Sequence, residues 1–364
     1  MPQTPYYRID LAAVKRNMAV IDRLCAASGA KALLALKCFA TWPVFDTMRD
    51  HMAGTTSSSL YELRLGREKF GKETHAYSVA WSEAEIDEAV SYADKIIFNS
   101  IGQLDRFEGN AAGIERGLRL NPGISTSGFD LADPARQFSR LGEWDADKIA
   151  GVIDRISGFM IHYNCENGDF DLLDRQLTQI EERFGHLFAQ VEWVSLGGGI
   201  HFTGEGYPVD ALAARLKAFS DRFGVQVYLE PGEAAITNTA SLEVTVLDIL
   251  NNGKDLAIVD SSVEAHMLDL LIYRIAGKSL TTGPHRYQVC GKSCLAGDIF
   301  GEFDFAQPLT VGDRLSIADA AGYTMVKKNW FNGVNMPAIV LVDDDGTERT
   351  VREFGFADYR ASLG

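Results

Sequence analysis

A handful of short stretches in this chain carry residue types that can do chemistry. Lys37 ends the apolar run Lys31-Ala-Leu-Leu-Ala-Leu-Lys37. Held in an apolar pocket, its amine would be discharged by desolvation and become a Schiff-base nucleophile; reaching into water, it would be an ordinary cation. His162 opens His162-Tyr-Asn-Cys-Glu-Asn167 and fits either a satisfied structural histidine or one serving a site. Gly197-Gly-Gly199 could bring backbone N–H groups close to a phosphate, or simply turn tightly. Its spacing is neither a dinucleotide fingerprint nor a P-loop. Glu230, before Pro231-Gly232, can act as a general base, partner a protonated ring nitrogen or cap a helix. Cys294 lies in Gly291-Lys-Ser-Cys-Leu-Ala-Gly-Asp298, and Tyr323 in Ala321-Gly-Tyr-Thr324. An isolated cysteine is more often buried and inert than reactive.

These residues sit where predicted strands end. Candidate strands are Lys31–Leu36, Met52–Thr56, Thr74–Val79, Lys95–Phe98, Gly117–Leu120, Ile156–His162, Val191–Leu196 and Gln226–Leu229. The first of them, a continuous apolar run, reads as a strand buried on both faces. Helical faces alternate with them: Leu173, Leu177, Ile180 and Phe184 share one, Leu212, Leu216, Phe219 and Phe223 another. Gly185 and Gly224 are placed to close these two helices. The alternation predicts a (β/α)8 TIM-like barrel over residues 9–235, although a doubly wound sheet has the same local pattern. Beyond it the texture changes. Ser241–Leu247, Leu256–Val259, Tyr287–Cys290, Arg314–Ile317 and Ala338–Val342 are short runs separated by turn signals such as Asn252-Gly253 and Asp345-Gly346. They predict a mostly β C-terminal domain over 236–364, with residues 1–8 able to join it.

Composition narrows the function. At 364 residues, 46% hydrophobic and 23% charged, the chain reads as an ordinary globular protein with room for two domains. A net charge of −15 argues against nucleic acid or an anionic membrane as partner and suits a cationic small molecule. The N-terminus lacks the pattern of a signal peptide, and no apolar stretch approaches a membrane span. Five cysteines without zinc spacing are simplest as reduced thiols in a cytoplasm; no metal site is expected.

The ordered set of motifs resembles the fold-type III pyridoxal-phosphate decarboxylases, the family of ornithine, arginine and diaminopimelate decarboxylases. Ala35-Leu-Lys-Cys-Phe-Ala40, His162-Tyr-Asn-Cys-Glu-Asn167 and Gly291-Lys-Ser-Cys294 look most like its carboxynorspermidine (carboxyspermidine) decarboxylases. The resemblance implies a pyridoxal 5'-phosphate cofactor bound covalently to Lys37 and stacked on His162. It implies Gly197, Gly198, Gly199 and Tyr323 on the phosphate and Glu230 on the pyridine nitrogen. Cys294 would deliver the proton and Asp298 would lie near the substrate's amine, in a homodimer whose active sites are shared. In the diaminopimelate enzymes an arginine follows Glu-Pro-Gly; here the residue is Glu233. A second carboxylate-binding arginine aligns, with one residue of slack, to Asp269. Acidic residues at both places would repel a distal carboxylate and attract ammonium groups. The expected reaction is therefore decarboxylation of carboxynorspermidine to norspermidine, and of carboxyspermidine to spermidine. Diaminopimelate or ornithine is the alternative substrate, and a catalytically silent relative the alternative of another class.

Overall fold

The computed structural model describes residues 2–125 and 127–364. Its backbone contacts divide into two units: Arg16–Ala235, and the residues up to Lys15 together with Ile236–Gly364. The first strand, β1 (Tyr6–Asp10), belongs to the second of these.

In the first unit β2 (Lys31–Ala35), β3 (Gly54–Ser57), β4 (Glu73–Tyr77), β5 (Lys95–Phe98), β6 (Glu115–Leu120), β7 (Gly158–Ile161), β8 (Trp193–Ser195) and β9 (Gln226–Leu229) follow one another around a closed barrel. All pairings are parallel, and β9 returns to β2 through Lys31↔Tyr228 and Ala32↔Leu229. The expected (β/α)8 barrel is thus formed. Leu33, Tyr77, Ile97, Met160, Trp193 and Tyr228 make a core cluster contributed by six of the strands. The Trp193 indole takes so much room that Gly117 and Gly158 must lack side chains. A Cβ at Gly158 would fall 2.1 Å from the ring, and one at Gly117 2.5 Å.

The two outer helices bury most of the faces their periodicity predicts; in Val209–Phe223, Leu212, Leu216 and Phe219 are buried and Phe223 is half-buried. In Phe170–Phe188, Leu173, Leu177, Ile180 and Phe184 are all buried. Gly224 closes Val209–Phe223 in the left-handed conformation, φ +68°. Gly185 does not close its helix, which runs on to Phe188. It is needed instead for packing, since a Cβ there would lie 3.1 Å from the Phe223 ring.

The second unit is a mixed sheet. After β10 (Ala240–Asn251) come β11 (Asp255–Val259), β12 (His285–Cys290), β13 (Ile299–Phe305), β14 (Arg314–Ala318), β15 (Ala338–Val342) and β16 (Glu348–Arg352). They lie in the order β13-β12-β11-β10-β1-β15-β16, with β14 also on β10. Because β1 pairs with both β10 and β15, residues 9 and 10 sit in the sheet, not at the start of the barrel. Sequence patterning misses β13, which Gly301 interrupts, and β16, a charged edge strand with no buried residue.

The N-terminal ends of the barrel strands carry a compact charge cluster. Glu73 accepts hydrogen bonds from His75 (2.9 Å) and Tyr228 (2.8 Å). Lys95 reaches Glu73 at 3.4 Å and Glu115 at 2.7 Å. Burial pushes the Glu73 carboxyl up, but those hydrogen bonds and the nearby positive charge outweigh it and hold it well below the usual carboxylate range. A carboxyl depressed by folding adds stability that is complete above its unfolded value, about 4.3, and lost as pH falls toward the folded one. Glu73→Gln should therefore lower the urea midpoint at pH 7, and the gap to the parent should narrow as pH drops below about 4. A gap independent of pH would remove this account. Gly158→Ala should cost about 1–3 kcal/mol by overpacking against Trp193; an unchanged thermal transition would show that the indole can move aside.

Candidate active site

Lys37 stands just beyond β2, where the chain turns: the N–H groups of Cys38 and Phe39 both donate to the Ala35 carbonyl. The turn aims the Lys37 amine across the C-terminal mouth of the barrel, 3.4 Å from Nε2 of His162, which follows β7. Tyr77, Arg119 and Glu230, from the ends of β4, β6 and β9, line the same pocket. The site is thus built at the end where barrels carry their chemistry.

Electrostatics here favour neutral bases. Burial lowers the Lys37 pKa, Arg119 lowers it further, and Glu230 opposes both. Burial, then the charges of Lys37 and Arg119, push His162 well below its ordinary value. The Gly198 N–H donates to Nδ1 of His162 at 3.2 Å. Nδ1 is then the acceptor, so the proton of the neutral ring sits on Nε2, facing Lys37. A neutral amine can accept that hydrogen, whereas an ammonium cannot. The geometry therefore matches an uncharged, nucleophilic Lys37.

Glu230 is 8% exposed. Its carboxylate accepts a 2.6 Å hydrogen bond from the Ser195 hydroxyl, and its own N–H donates to the Gly197 carbonyl at 2.8 Å. The Gly197–Gly199 turn has φ of +71° at Gly197 and +81° at Gly199. Any side chain would destroy it: a Cβ at Gly198 would lie 2.2 Å from the Glu230 carbonyl, and one at Gly199 2.2 Å from that of Asn164. The N–H groups of Gly197 and Gly198 are engaged by Ser195 and His162. Glu233 opens the short helix Glu233–Ile236, and Cys38 Sγ lies 3.7 Å from its Oε1. Lys37, His162, Gly197–Gly199, Glu230 and Glu233 therefore all belong to the barrel unit.

Cys294, Asp298, Asp269 and Tyr323 belong to the sheet unit. Cys294 is exposed, and its N–H donates to Oδ1 of Asn332 at 2.6 Å. Asp298, expected beside a substrate amine, is 4% exposed. Its two oxygens accept from the N–H groups of Val263 (2.7 Å) and Ser293 (3.0 Å), so backbone occupies the carboxylate. Asp269 pairs with Lys327, whose ammonium also lies 5.0 Å over the Tyr323 ring. The charge expected to attract a substrate is thus largely matched within the chain.

Sequence reasoning passed over Arg119, Tyr77 and Ser195. Arg119 is 5% exposed. It donates to the Tyr77 hydroxyl at 2.7 Å, which donates on to Oδ1 of Asn99 at 2.8 Å. The signal was a cation embedded in the apolar stretch Gly117-Leu-Arg-Leu, where a buried partner is obligatory. Ser195 carries no signal of its own, because its role exists only once Glu230 is brought beside it.

This donor set fits pyridoxal phosphate. An amine pushed toward its neutral form can bond the aldehyde, a fixed carboxylate can hold the ring nitrogen's proton, and a flat imidazole lies 3.4 Å from the amine. Comparison with known proteins agrees. Residues 18–321 match the family profile described as "Pyridoxal-dependent decarboxylase, C-terminal sheet domain". A carboxynorspermidine/carboxyspermidine decarboxylase of Herminiimonas arsenicoxydans is 62% identical over the whole of both chains. A carboxyaminopropylagmatine decarboxylase of Synechocystis is 38% identical, covering 99% of this chain and 95% of its own. The crystal structure of carboxynorspermidine decarboxylase complexed with norspermidine, from Campylobacter jejuni, superposes with a TM-score of 0.91 at 36% identity, over 99% of this chain and 100% of that one. With Lys37, His162 and Glu230 converging at the barrel mouth, the chain belongs to the pyridoxal-dependent decarboxylase family and takes pyridoxal phosphate as its cofactor.

Proposed function

We propose that this chain decarboxylates carboxynorspermidine to norspermidine and carboxyspermidine to spermidine, as a cytoplasmic homodimer. The observation that supports the reaction class is the Lys37–His162 pair, both shifted toward their neutral forms and lining one pocket with Glu230. The choice of substrate is supported by 62% identity along the full length of a relative so named. Pyridoxal phosphate, when bound, supplies an electron sink for the pair left on the α-carbon as CO2 departs.

The chain's own residues do the rest. Lys37 offers an amine free to bond covalently, because its pocket disfavours the ammonium form. Glu230, oriented by Ser195, holds the proton on the ring nitrogen. His162 provides a flat, neutral face with its proton on Nε2. Resemblance assigns the Gly197–Gly199 turn and Tyr323 to the phosphate. Cys294, exposed on its loop, suits a proton donor reaching the α-carbon in the partner subunit's site. Glu233, next to the segment that carries Lys37, is assigned to a substrate ammonium. Asp269, already paired with Lys327, contributes less, and Asp298 serves its own loop. A second reading follows from the Synechocystis relative: carboxyaminopropylagmatine also joins an α-amino acid to a cationic tail. The higher identity of the polyamine enzyme favours the first.

Protein purified with pyridoxal phosphate should be yellow. Borohydride should bleach it and leave the reduced cofactor on Lys37 in a peptide map. A map showing the cofactor on Lys292 or Lys327 would undo the site. Assayed in parallel, carboxynorspermidine and carboxyspermidine should be turned over in preference to carboxyaminopropylagmatine, diaminopimelate and ornithine. A charged hydrogen bond is worth about 1.5–3 kcal/mol, so Glu233→Gln should lower kcat/KM by about 10- to 100-fold, mostly through KM, with cofactor absorbance unchanged. Equal kinetics in Glu233→Gln, or preference for diaminopimelate, would defeat the polyamine reading.

A further inference from the structure

We propose that Asn332 is a positioning residue for Cys294, its side-chain carbonyl fixing the cysteine's backbone at the end of a closed circuit of hydrogen bonds. The proposal rests on Cys294 being the proton donor. Cys294 Sγ could deliver a proton only if its backbone were held, yet the residue lies exposed on an irregular loop between β12 and β13.

Several segments of the sheet unit hold it. Gly291 donates its N–H to the Asp298 carbonyl at 2.8 Å, and Lys292 donates to the Ser261 carbonyl at 2.9 Å. The Asp298 carboxylate then ties Ser293, the neighbour of Cys294, to Val263 at the start of the short helix Val263–His266. Only glycine fits at 291, because a Cβ there would lie 2.2 Å from the Asp298 carboxylate. From that helix the Ala265 carbonyl accepts the Asn329 N–H at 2.9 Å, while Asn329 Nδ2 donates to the Glu264 carbonyl at 3.2 Å. Asn329 Oδ1 in turn accepts the Phe331 N–H at 2.8 Å. The next residue is Asn332, whose Oδ1 accepts the Cys294 N–H at 2.6 Å. The circuit therefore runs Cys294, Ser293, Asp298, Val263–His266, Asn329, Asn332 and back to Cys294.

The residue type at 332 is dictated twice. Its φ is +54°, a left-handed conformation that asparagine, aspartate and glycine adopt far more readily than other residues. Its side chain must also place a carbonyl oxygen one short arm away. Asparagine and aspartate meet both demands, and glycine meets the first alone. That difference separates backbone shape from the hydrogen bond. Removing the acceptor leaves Asp298 pinning Ser293 but frees the peptide that carries the thiol. Small displacements of a reacting group are costly in rate, about 100-fold for an ångström.

The test compares Asn332→Gly, which keeps the backbone and loses the acceptor, with Asn332→Asp, which keeps both, in the holoenzyme. Expected for Asn332→Gly is a fall in kcat of about tenfold or more, with KM and visible cofactor absorbance unchanged. Iodoacetamide labelling of Cys294, followed by peptide mapping, should change rate severalfold in the same variant. Asn332→Asp should restore both to within about twofold of the parent. The proposal is overturned if turnover or labelling is unchanged in Asn332→Gly, or if Asn332→Asp is equally impaired. Cys294→Ala separates the two ideas. Full turnover in that variant would defeat the proton-donor assignment, while the labelling rates would still decide whether Asn332 holds the loop.

Discussion

A lysine whose charge is made costly by burial is the constraint around which the barrel's mouth is built. Lysine in water is almost wholly protonated near pH 7, so a nucleophilic Lys37 requires surroundings that make its charge expensive. Burial does most of this, and Arg119 adds repulsion. A buried arginine carries its own desolvation cost, which is met by the Tyr77 hydroxyl and, through it, by Asn99. The same logic reaches His162. Were Nδ1 protonated, the Gly198 N–H would meet another donor; with Nδ1 accepting, the ring presents Nε2–H to the amine. The glycine turn thus fixes a tautomer as well as a backbone path.

The two ends of the barrel solve opposite electrostatic problems with similar residues. At the N-terminal end Lys95 is bracketed by Glu73 and Glu115, and Glu73 is further held by His75 and Tyr228. Acids and bases there neutralise one another, which gives stability with no chemistry left over. At the C-terminal end Lys37 and His162 share a pocket with a cation, Arg119, and with Glu230. Like charges gathered in one pocket depress one another's proton affinity, and that is how a reactive base is made.

Much of this was legible in the sequence, for identifiable reasons. Lys95–Phe98 and Gln226–Leu229 are apolar runs bounded by polar residues, and the observed β5 and β9 have those same limits. Runs without such limits drift by a residue or more, as at β3 and β7. Gly185 shows how a glycine misleads: its place near a helix end suggests a cap, yet the ring of Phe223 is what excludes a side chain there. Motif order was enough to single out Lys37, His162 and Glu230, since strand ends of one barrel share one mouth. Partnerships were not legible. Nothing local in Asp298 announces that its oxygens will be taken by Val263 and Ser293, residues 35 and 5 positions away.

Such partnerships bear on how substrate preference is encoded. Counting acids in aligned positions treats each as a free charge, but a carboxylate attracts a ligand only with the field its own protein leaves unmatched. Asp269 sits against Lys327, and Lys327 is also stacked on Tyr323, so moving the lysine away would disturb two contacts. The pair as a whole presents a dipole, with a far weaker reach toward a distant ammonium than a lone anion has. The chain has Glu233 and Asp269 where the resemblance puts the carboxylate-gripping arginines of the diaminopimelate enzymes. On the proposed assignment a diaminopimelate-like ligand would meet no cation at 233, and its distal charge would be desolvated without compensation. A polyamine tail suffers no such loss. Discrimination of this kind needs few acids, provided the cations are gone.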